Sequence, residues 1–135
     1  MIHVLSKTNS SDNLGDLSDT LAGFAKEWPE LAKLVGSKAI GDFEEVGAAS
    51  FDFLMYSGYV TLAYFWLKMA TVSQEILDGK RHPKGEDFDR DFLDAKVKKA
   101  RFYFERILPR ARGHKEMMLA GKGSMMDITE AQLIG

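Results

Sequence analysis

Apolar side chains recur at steps of three and four residues along most of the chain, which is the spacing of helices that each bury one face. The first such stripe spans residues 14–35 and contains Pro29, where we predict a kink or a break around Trp28 because proline removes a helical hydrogen bond. Residues 36–41, bounded by two glycines, form a predicted turn. Asp42 and Glu45 then have the spacing of a capping box at the start of a second helix.

The second helix is predicted over residues 42–78, with Gly79 ending it. One of its faces carries Val46, Ala49, Phe53, Tyr56, Val60, Ala63, Leu67 and Ala70. A second apolar stripe consists of Leu62, Phe65, Met69, Val72 and Ile76. Since Val60 and Leu62 are about 200° apart on a helix, the two stripes are nearly opposed. A helix that is apolar on two faces must be covered on both, so the second stripe is a candidate interface.

The next polar segment, residues 79–87, contains glycine and proline and predicts a loop. Asp87 or Asp89 is the expected N-cap of a third helix. That helix is predicted over residues 88–120, with a bend at Pro109.

These patterns predict an all-α fold, an up-and-down helical bundle of three to four long helices with one helix apolar on two faces. Residues 12–135 are expected to form a single domain, in which residues 127–133 add one short helical turn. Residues 1–11 are polar and irregular and are predicted to be a disordered tether. A chain of 135 residues can bury enough surface to fold without a metal or a disulfide.

Residues 99–112, KARFYFERILPRAR, combine three adjacent aromatic residues with five basic residues and a proline. The helical stripe through this segment consists of Leu93, Val97, Ala100, Phe104, Ile107 and Ala111. Phe104 is therefore predicted to point inward, with Phe102 and Tyr103 flanking the stripe. Aromatic readers of single-stranded RNA place these residues in alternation on a strand with glycine between them. The helical spacing favours packing, and we expect no nucleic-acid binding.

The net charge of -2 conceals an uneven distribution along the chain. Residues 12–52 contain nine acidic residues against three lysines, whereas residues 96–122 are mostly basic. Two antiparallel helices of opposite charge that attract each other would explain this pattern. The alternative is a basic docking face for a partner or for CoA phosphates, with Lys98, Arg101, Arg106 and Arg110 as candidate residues.

The chain has no cysteine, which excludes disulfides and thiolate zinc sites and fits a cytoplasmic location. The first fifteen residues lack the apolar core of a secretory signal. The uncharged run at residues 53–67 is shorter than the roughly 20 residues that span a bilayer. We therefore expect a buried helix there and no membrane span.

No arrangement of residues in the chain predicts a catalytic centre. Di-metal helical bundles require Glu-x-x-His motifs, but Gly79 and Ala111 stand three residues before His82 and His114. The GKGS segment at residues 121–124 lacks the glycine spacing of a phosphate-binding loop. We expect His114 to be a polar, half-buried helix residue, and we expect no catalytic, cofactor-binding or metal-binding residue in this chain.

Three segments together resemble a known family: GYVTLAYFWLKMA at 58–70, FLDAKVKKARFYFERILPRA at 92–111, and LAGKGSMMDI at 119–128. Their most distinctive element is the pattern A-x-F-Y-x-x-x-x-L-P, formed by Ala100, Phe102, Tyr103, Leu108 and Pro109. The sequence is similar over residues 14–128 to the C-terminal helical domain of one branch of the flavin-dependent acyl-CoA dehydrogenases. That branch includes enzymes similar to 3-methylmercaptopropionyl-CoA dehydrogenase.

The resemblance implies a parent enzyme that oxidises the Cα–Cβ bond of an acyl-CoA with FAD, using a carboxylate base upstream of this domain. This chain would bind no cofactor itself and would meet acyl-CoA only through the parent. Its expected partners are the upstream dehydrogenase core, a second copy, or both. The competing hypothesis is a free-standing helical interaction module that associates with itself through the second stripe of the long helix.

Overall fold

A computed structural model describes residues 13–83 and 87–135, so the predicted tether at residues 1–11 lies outside the described part. The described residues form helices and no strand, which confirms the all-α prediction. Three long helical stretches are followed by two short turns. The helices are α1 (Gly15–Gly41), α2 (Phe43–Leu77), α3 (Arg90–Phe102), α4 (Arg110–Leu119), α5 (Gly123–Met126) and α6 (Glu130–Ile134), with a π-helical turn (Tyr103–Ile107) between α3 and α4.

The first helix is longer than its sequence predicts. α1 continues through Pro29, so a break around Trp28 does not occur. The helix ends only at Gly41, so the predicted turn at residues 36–41 is wrong. A glycine inside a helix lowers the stability by only about 1 kcal/mol relative to alanine, so Gly36 does not end α1. The break comes at Asp42, whose extended backbone (φ -155°) separates the two helices.

Local capping residues set the bounds of α2 and α3. The Asp42 carboxylate accepts a hydrogen bond from the Glu44 backbone N–H at 3.1 Å, which caps α2 without the reciprocal bond of a capping box. Gly79, just beyond α2, has a φ of +75°, a conformation that favours glycine and ends the helix as predicted. Asp89 caps α3 by accepting from the Asp91 N–H at 3.1 Å.

The predicted bend at Pro109 takes the form of a π-helical turn immediately before it. The Leu108 N–H donates to the Tyr103 carbonyl at 2.9 Å, five residues back along the chain. Pro109 has no N–H to donate and its ring crowds the carbonyl four residues earlier. The preceding turn widens, and a regular helix resumes at Arg110.

The long helix α2 packs against α1, α3 and α4, and α1 in turn contacts α3 and α4 through the ion pairs Arg101–Asp16 and Lys115–Glu27. The predicted first stripe of α2 supplies the middle of the core, where Tyr56, Val60, Ala63, Leu67 and Ala70 are fully buried. α1 contributes Leu17, Leu21, Phe24 and Leu31, and the third helical stretch contributes Ala100, Tyr103, Phe104, Leu108 and Ala111. Most of the predicted core positions of the three long helices are thereby confirmed, although Val46 lies outside the core and Tyr103, which was predicted to flank the stripe, belongs to it.

Candidate functional site

The side of α2 opposite the core is apolar and uncovered. It carries large apolar side chains with exposed fractions between 50% and 84%, and we call these five residues the outer face: Phe43, Phe51, Leu54, Leu62 and Phe65. Gly47 and Gly58 occupy intervening positions on the same side. Monomeric proteins seldom expose a continuous apolar patch of this kind without a binding role.

The structure divides the five predicted interface residues between two surfaces. Leu62 and Phe65 lie on the outer face, whereas Met69, Val72 and Ile76 line a depression between α2 and the beginning of α3. The sequence prediction missed the first half of the outer face. The sequence does indicate this half of the face, because the three- and four-residue spacing of apolar residues continues past Gly58 to Leu54 and Phe51.

The depression, which we call the groove, is an open cavity of about 650 Å³. Its apolar lining consists of Met69, Val72, Ile76, Phe88, Phe92 and Leu93. The charged side chains among its described lining residues are all basic: Lys68, Arg81 and Lys96. The Arg81 side chain is held by Glu75 at 2.9 Å, and the Lys96 Nζ lies 5.1 Å from the centre of the Phe92 ring. The groove therefore suits an apolar ligand with a negative charge.

The basic stretch of the third helix meets the acidic residues of the first half of the chain. The Arg101 guanidinium pairs with the Asp16 carboxylate at 2.7 Å, and this hydrogen bond lowers the pKa of Asp16 below its usual value. The Lys115 Nζ lies 3.2 Å from the Glu27 Oε1. These pairs support the interpretation of oppositely charged helices that attract each other.

The four residues of the predicted basic docking face differ in their surroundings. Arg101 is engaged with α1, and Lys98 pairs with Asp94 on its own helix at 2.7 Å. Arg106 and Arg110 are exposed and form no ion pair with any residue that the structure describes. Of the four candidate residues, these two have no ion pair to break before they could contact a partner.

A histidine and a carboxylate form a polar contact inside the bundle that the sequence did not predict. The His114 Nδ1 lies 2.8 Å from the Asp52 Oδ1, and both side chains are only 15% exposed. The imidazole also stacks on Tyr59, with 5.7 Å between the ring centres. This contact joins α4 to α2.

The described residues include no group of three or more side chains that could hold a metal ion. None of the helices in the described ranges combines the length and the apolarity needed to cross a membrane.

Residues 1–129 match a family model described as acetyl-CoA dehydrogenase C-terminal like. The chain belongs to the acetyl-CoA dehydrogenase C-terminal-like family. This match confirms the resemblance found in the sequence at the level of the family. Neither the curated proteins nor the solved structures include a match to the chain.

In this acetyl-CoA dehydrogenase C-terminal-like chain, the residues that carried the resemblance are mainly structural. Ala100 and Leu108 are fully buried, and Tyr103 is 4% exposed. The Tyr103 hydroxyl donates to the Tyr59 carbonyl at 2.7 Å and ties the third helical stretch to α2. Phe102 is 59% exposed and is the one aromatic residue of this pattern that a partner could contact.

Burial raises the pKa of the Tyr103 hydroxyl from 10.0 to about 12, with a smaller contribution from Tyr59. Because the folded state keeps this proton to a higher pH than the unfolded chain, the stabilisation is full below pH 10 and is lost as the pH rises towards about 12. Burial also raises the pKa of the Tyr56 hydroxyl, so tyrosinate absorbance should show late titration of both tyrosines, and Tyr103→Phe should remove the earlier of the two late steps. Stability above pH 10 should also fall less steeply in Tyr103→Phe, and an equal slope in both proteins would contradict the assignment.

Proposed function

We propose that this chain is the non-catalytic C-terminal helical domain of a flavin-dependent acyl-CoA dehydrogenase and that it contributes to the assembly of the parent enzyme. Family membership supports the enzyme class. The observation that carries the assembly role is the outer face of α2, whose five large apolar side chains are all at least half exposed.

Covering the outer face would stabilise the protein. Full burial of one large apolar side chain stabilises a protein by about 1.5–3 kcal/mol relative to exposure. The five side chains of the outer face lack much of this stabilisation because they are at least half exposed. The helices α1, α3 and α4 already pack on the remaining sides of α2. A further polypeptide on the outer face would recover this free energy, and the dehydrogenase core is the partner that the family suggests.

In this proposal the chemistry belongs to the parent enzyme. FAD and the catalytic carboxylate would lie in the dehydrogenase core, and acyl-CoA would reach this domain only through that core. The branch of the family similar to 3-methylmercaptopropionyl-CoA dehydrogenase is the proposed parent, in the cytoplasm. The sequence segments at residues 58–70 and 92–111 support that branch.

The double variant Leu54→Asp/Phe65→Asp tests the assembly role in cells that also produce a flavin-dependent dehydrogenase core from the same genome. We expect co-purification of the core to be lost and its FAD content to fall, because two charges would be buried in the contact. Leu34→Asp is the matched control, since Leu34 is a partly exposed leucine on α1. Equal recovery of core and FAD with the double variant and the control would refute the assembly role.

The alternative function is a free-standing module that associates with itself through Leu62, Phe65, Met69, Val72 and Ile76. The spacing of the outer face favours it, because Phe51 and Leu54 mirror Phe65 and Leu62 about Gly58. Two antiparallel copies of α2 that cross at this glycine would pair like residues. Light scattering of the purified chain separates the two functions: a dimer that Phe65→Asp dissociates supports self-association, and a monomer that binds the core excludes it.

A further inference from the structure

The C-terminal residues 127–135, which we call the tail, complement the groove in polarity and charge. The tail exposes Ile128, Leu133 and Ile134 by 49%, 69% and 82%. Its charged side chains are both acidic, Asp127 and Glu130. The groove combines an apolar lining with Lys68 and Lys96. Apolar side chains are therefore present on both surfaces, and their charges are opposite.

The tail contains a preformed helical turn, because α6 is capped by its own side chains. The Thr129 hydroxyl accepts from the Gln132 N–H at 3.3 Å, and the Gln132 carboxamide accepts from the Thr129 N–H at 2.8 Å. This capping box stabilises a helix that buries none of its apolar residues against the bundle. An ordered but uncovered segment loses little conformational entropy when it binds.

The tail of one copy cannot reach the groove of the same copy. Lys122 pairs with Asp42 and with Glu44, the latter at 3.0 Å, which places the start of the tail at the N-terminal end of α2. The centre of the groove, Val72, lies roughly 42 Å further along α2 at ~1.5 Å per residue. With its helical turns intact, the segment from Lys122 to Leu133 spans only about 25 Å.

We propose that the tail of one copy occupies the groove of a second copy, with Leu133 and Ile134 against Met69 and Val72. Asp127 and Glu130 then face the Lys68 and Lys96 ammonium groups. Two antiparallel copies place each tail beside the partner's groove, so the exchange is reciprocal and closes a twofold dimer. This contact uses other residues than the outer face, so it goes beyond the proposed assembly role and can fail independently of it.

Cross-linking tests the contact directly, because the natural chain has no cysteine. One copy carries Leu133→Cys and a differently tagged copy carries Val72→Cys, and the two are mixed and mildly oxidised. We expect a disulfide between the two tags. The control pair, Leu133→Cys with Leu54→Cys, should give little product, and equal yields from both pairs would overturn the proposal.

Light scattering over a range of concentrations measures the energetic contribution of the contact. Leu133→Asp/Ile134→Asp in the tail and Val72→Asp in the groove should each raise the dissociation constant of the dimer by at least about tenfold. A mixture of the two variants should recover part of the affinity, because one copy keeps an intact tail and the other an intact groove. Ile40→Asp, at a residue that is 91% exposed on α1, is the control and should dimerise like the natural chain.

The remaining outcomes each overturn the tail exchange. A natural chain that stays monomeric at all concentrations excludes it. A dimer that Phe65→Asp abolishes but the tail variant leaves unchanged shows that the outer face alone holds the copies together. If the groove variant weakens binding of the dehydrogenase core while the tail variant does not, a segment of the core occupies the groove, and the assembly role stands without the exchange.

Discussion

Leu67→Ala is expected to lower the free energy of unfolding by about 2–5 kcal/mol, the range found when a buried leucine is truncated to alanine. Leu67 is fully buried on the core side of α2, in the cluster that α2 forms with α1 and the third helical stretch. A loss of this size is a large part of the total stability of a domain, which is about 5–15 kcal/mol. Urea unfolding followed by circular dichroism measures it.

The matched control is Leu62→Ala, on the same helix but on the outer face. Leu62 is 51% exposed, so its truncation removes less buried surface and leaves no cavity. We expect a loss below about 1 kcal/mol for the dilute chain, in line with exposed positions in general. Equal losses for the two leucines in a monomeric sample would contradict an orientation of α2 that buries Leu67 and exposes Leu62.

Tyr103→Ala is the second change with a large expected effect, about 3–5 kcal/mol, as for other buried aromatic residues cut back to alanine. Tyr103 stacks on Trp66 with 6.4 Å between the ring centres and contacts Phe104 edge-on. Its hydroxyl donates a hydrogen bond to the Tyr59 carbonyl. Its removal opens a cavity beside the π-helical turn and breaks the polar link between two helices.

Phe102→Ala is the natural comparison because Phe102 precedes Tyr103 in the chain and is 59% exposed. We expect it to cost less than about 1 kcal/mol in the isolated chain. Thermal unfolding of both variants under the same conditions gives the comparison. A larger loss from Phe102→Ala than from Tyr103→Ala would show that the two aromatic side chains are placed wrongly.

The sequence predicted those features of the fold that depend on neighbouring residues. The apolar stripes of the three long helices and the caps at Asp42, Gly79 and Asp89 arise from local spacing and backbone chemistry. The end of α1 was predicted too early, because two glycines weaken a helix without ending it when neighbouring turns continue.

Contacts between distant residues could not be predicted from spacing alone. The Asp52–His114 contact joins residues 62 positions apart, and it exists only because α4 docks against α2 in one orientation. Arg101 and Asp16 lie 85 positions apart, and the charge pattern indicated only that such pairs would form between these regions. The outer face was predicted in part, since Gly58 interrupts the stripe between Leu62 and Leu54.

The π-helical turn before Pro109 also bears on which changes in chain length the fold can tolerate. A π turn is equivalent to one residue inserted into an α-helix, and the helices on both sides keep their rotational phase. Loss of one exposed residue there, Glu105 or Arg106, would leave α3 and α4 in phase. Loss of one residue inside α4, such as Gly113, would rotate His114 by about 100° away from Asp52. Single-residue gaps between related chains are therefore expected at this turn and not in the helices that flank it.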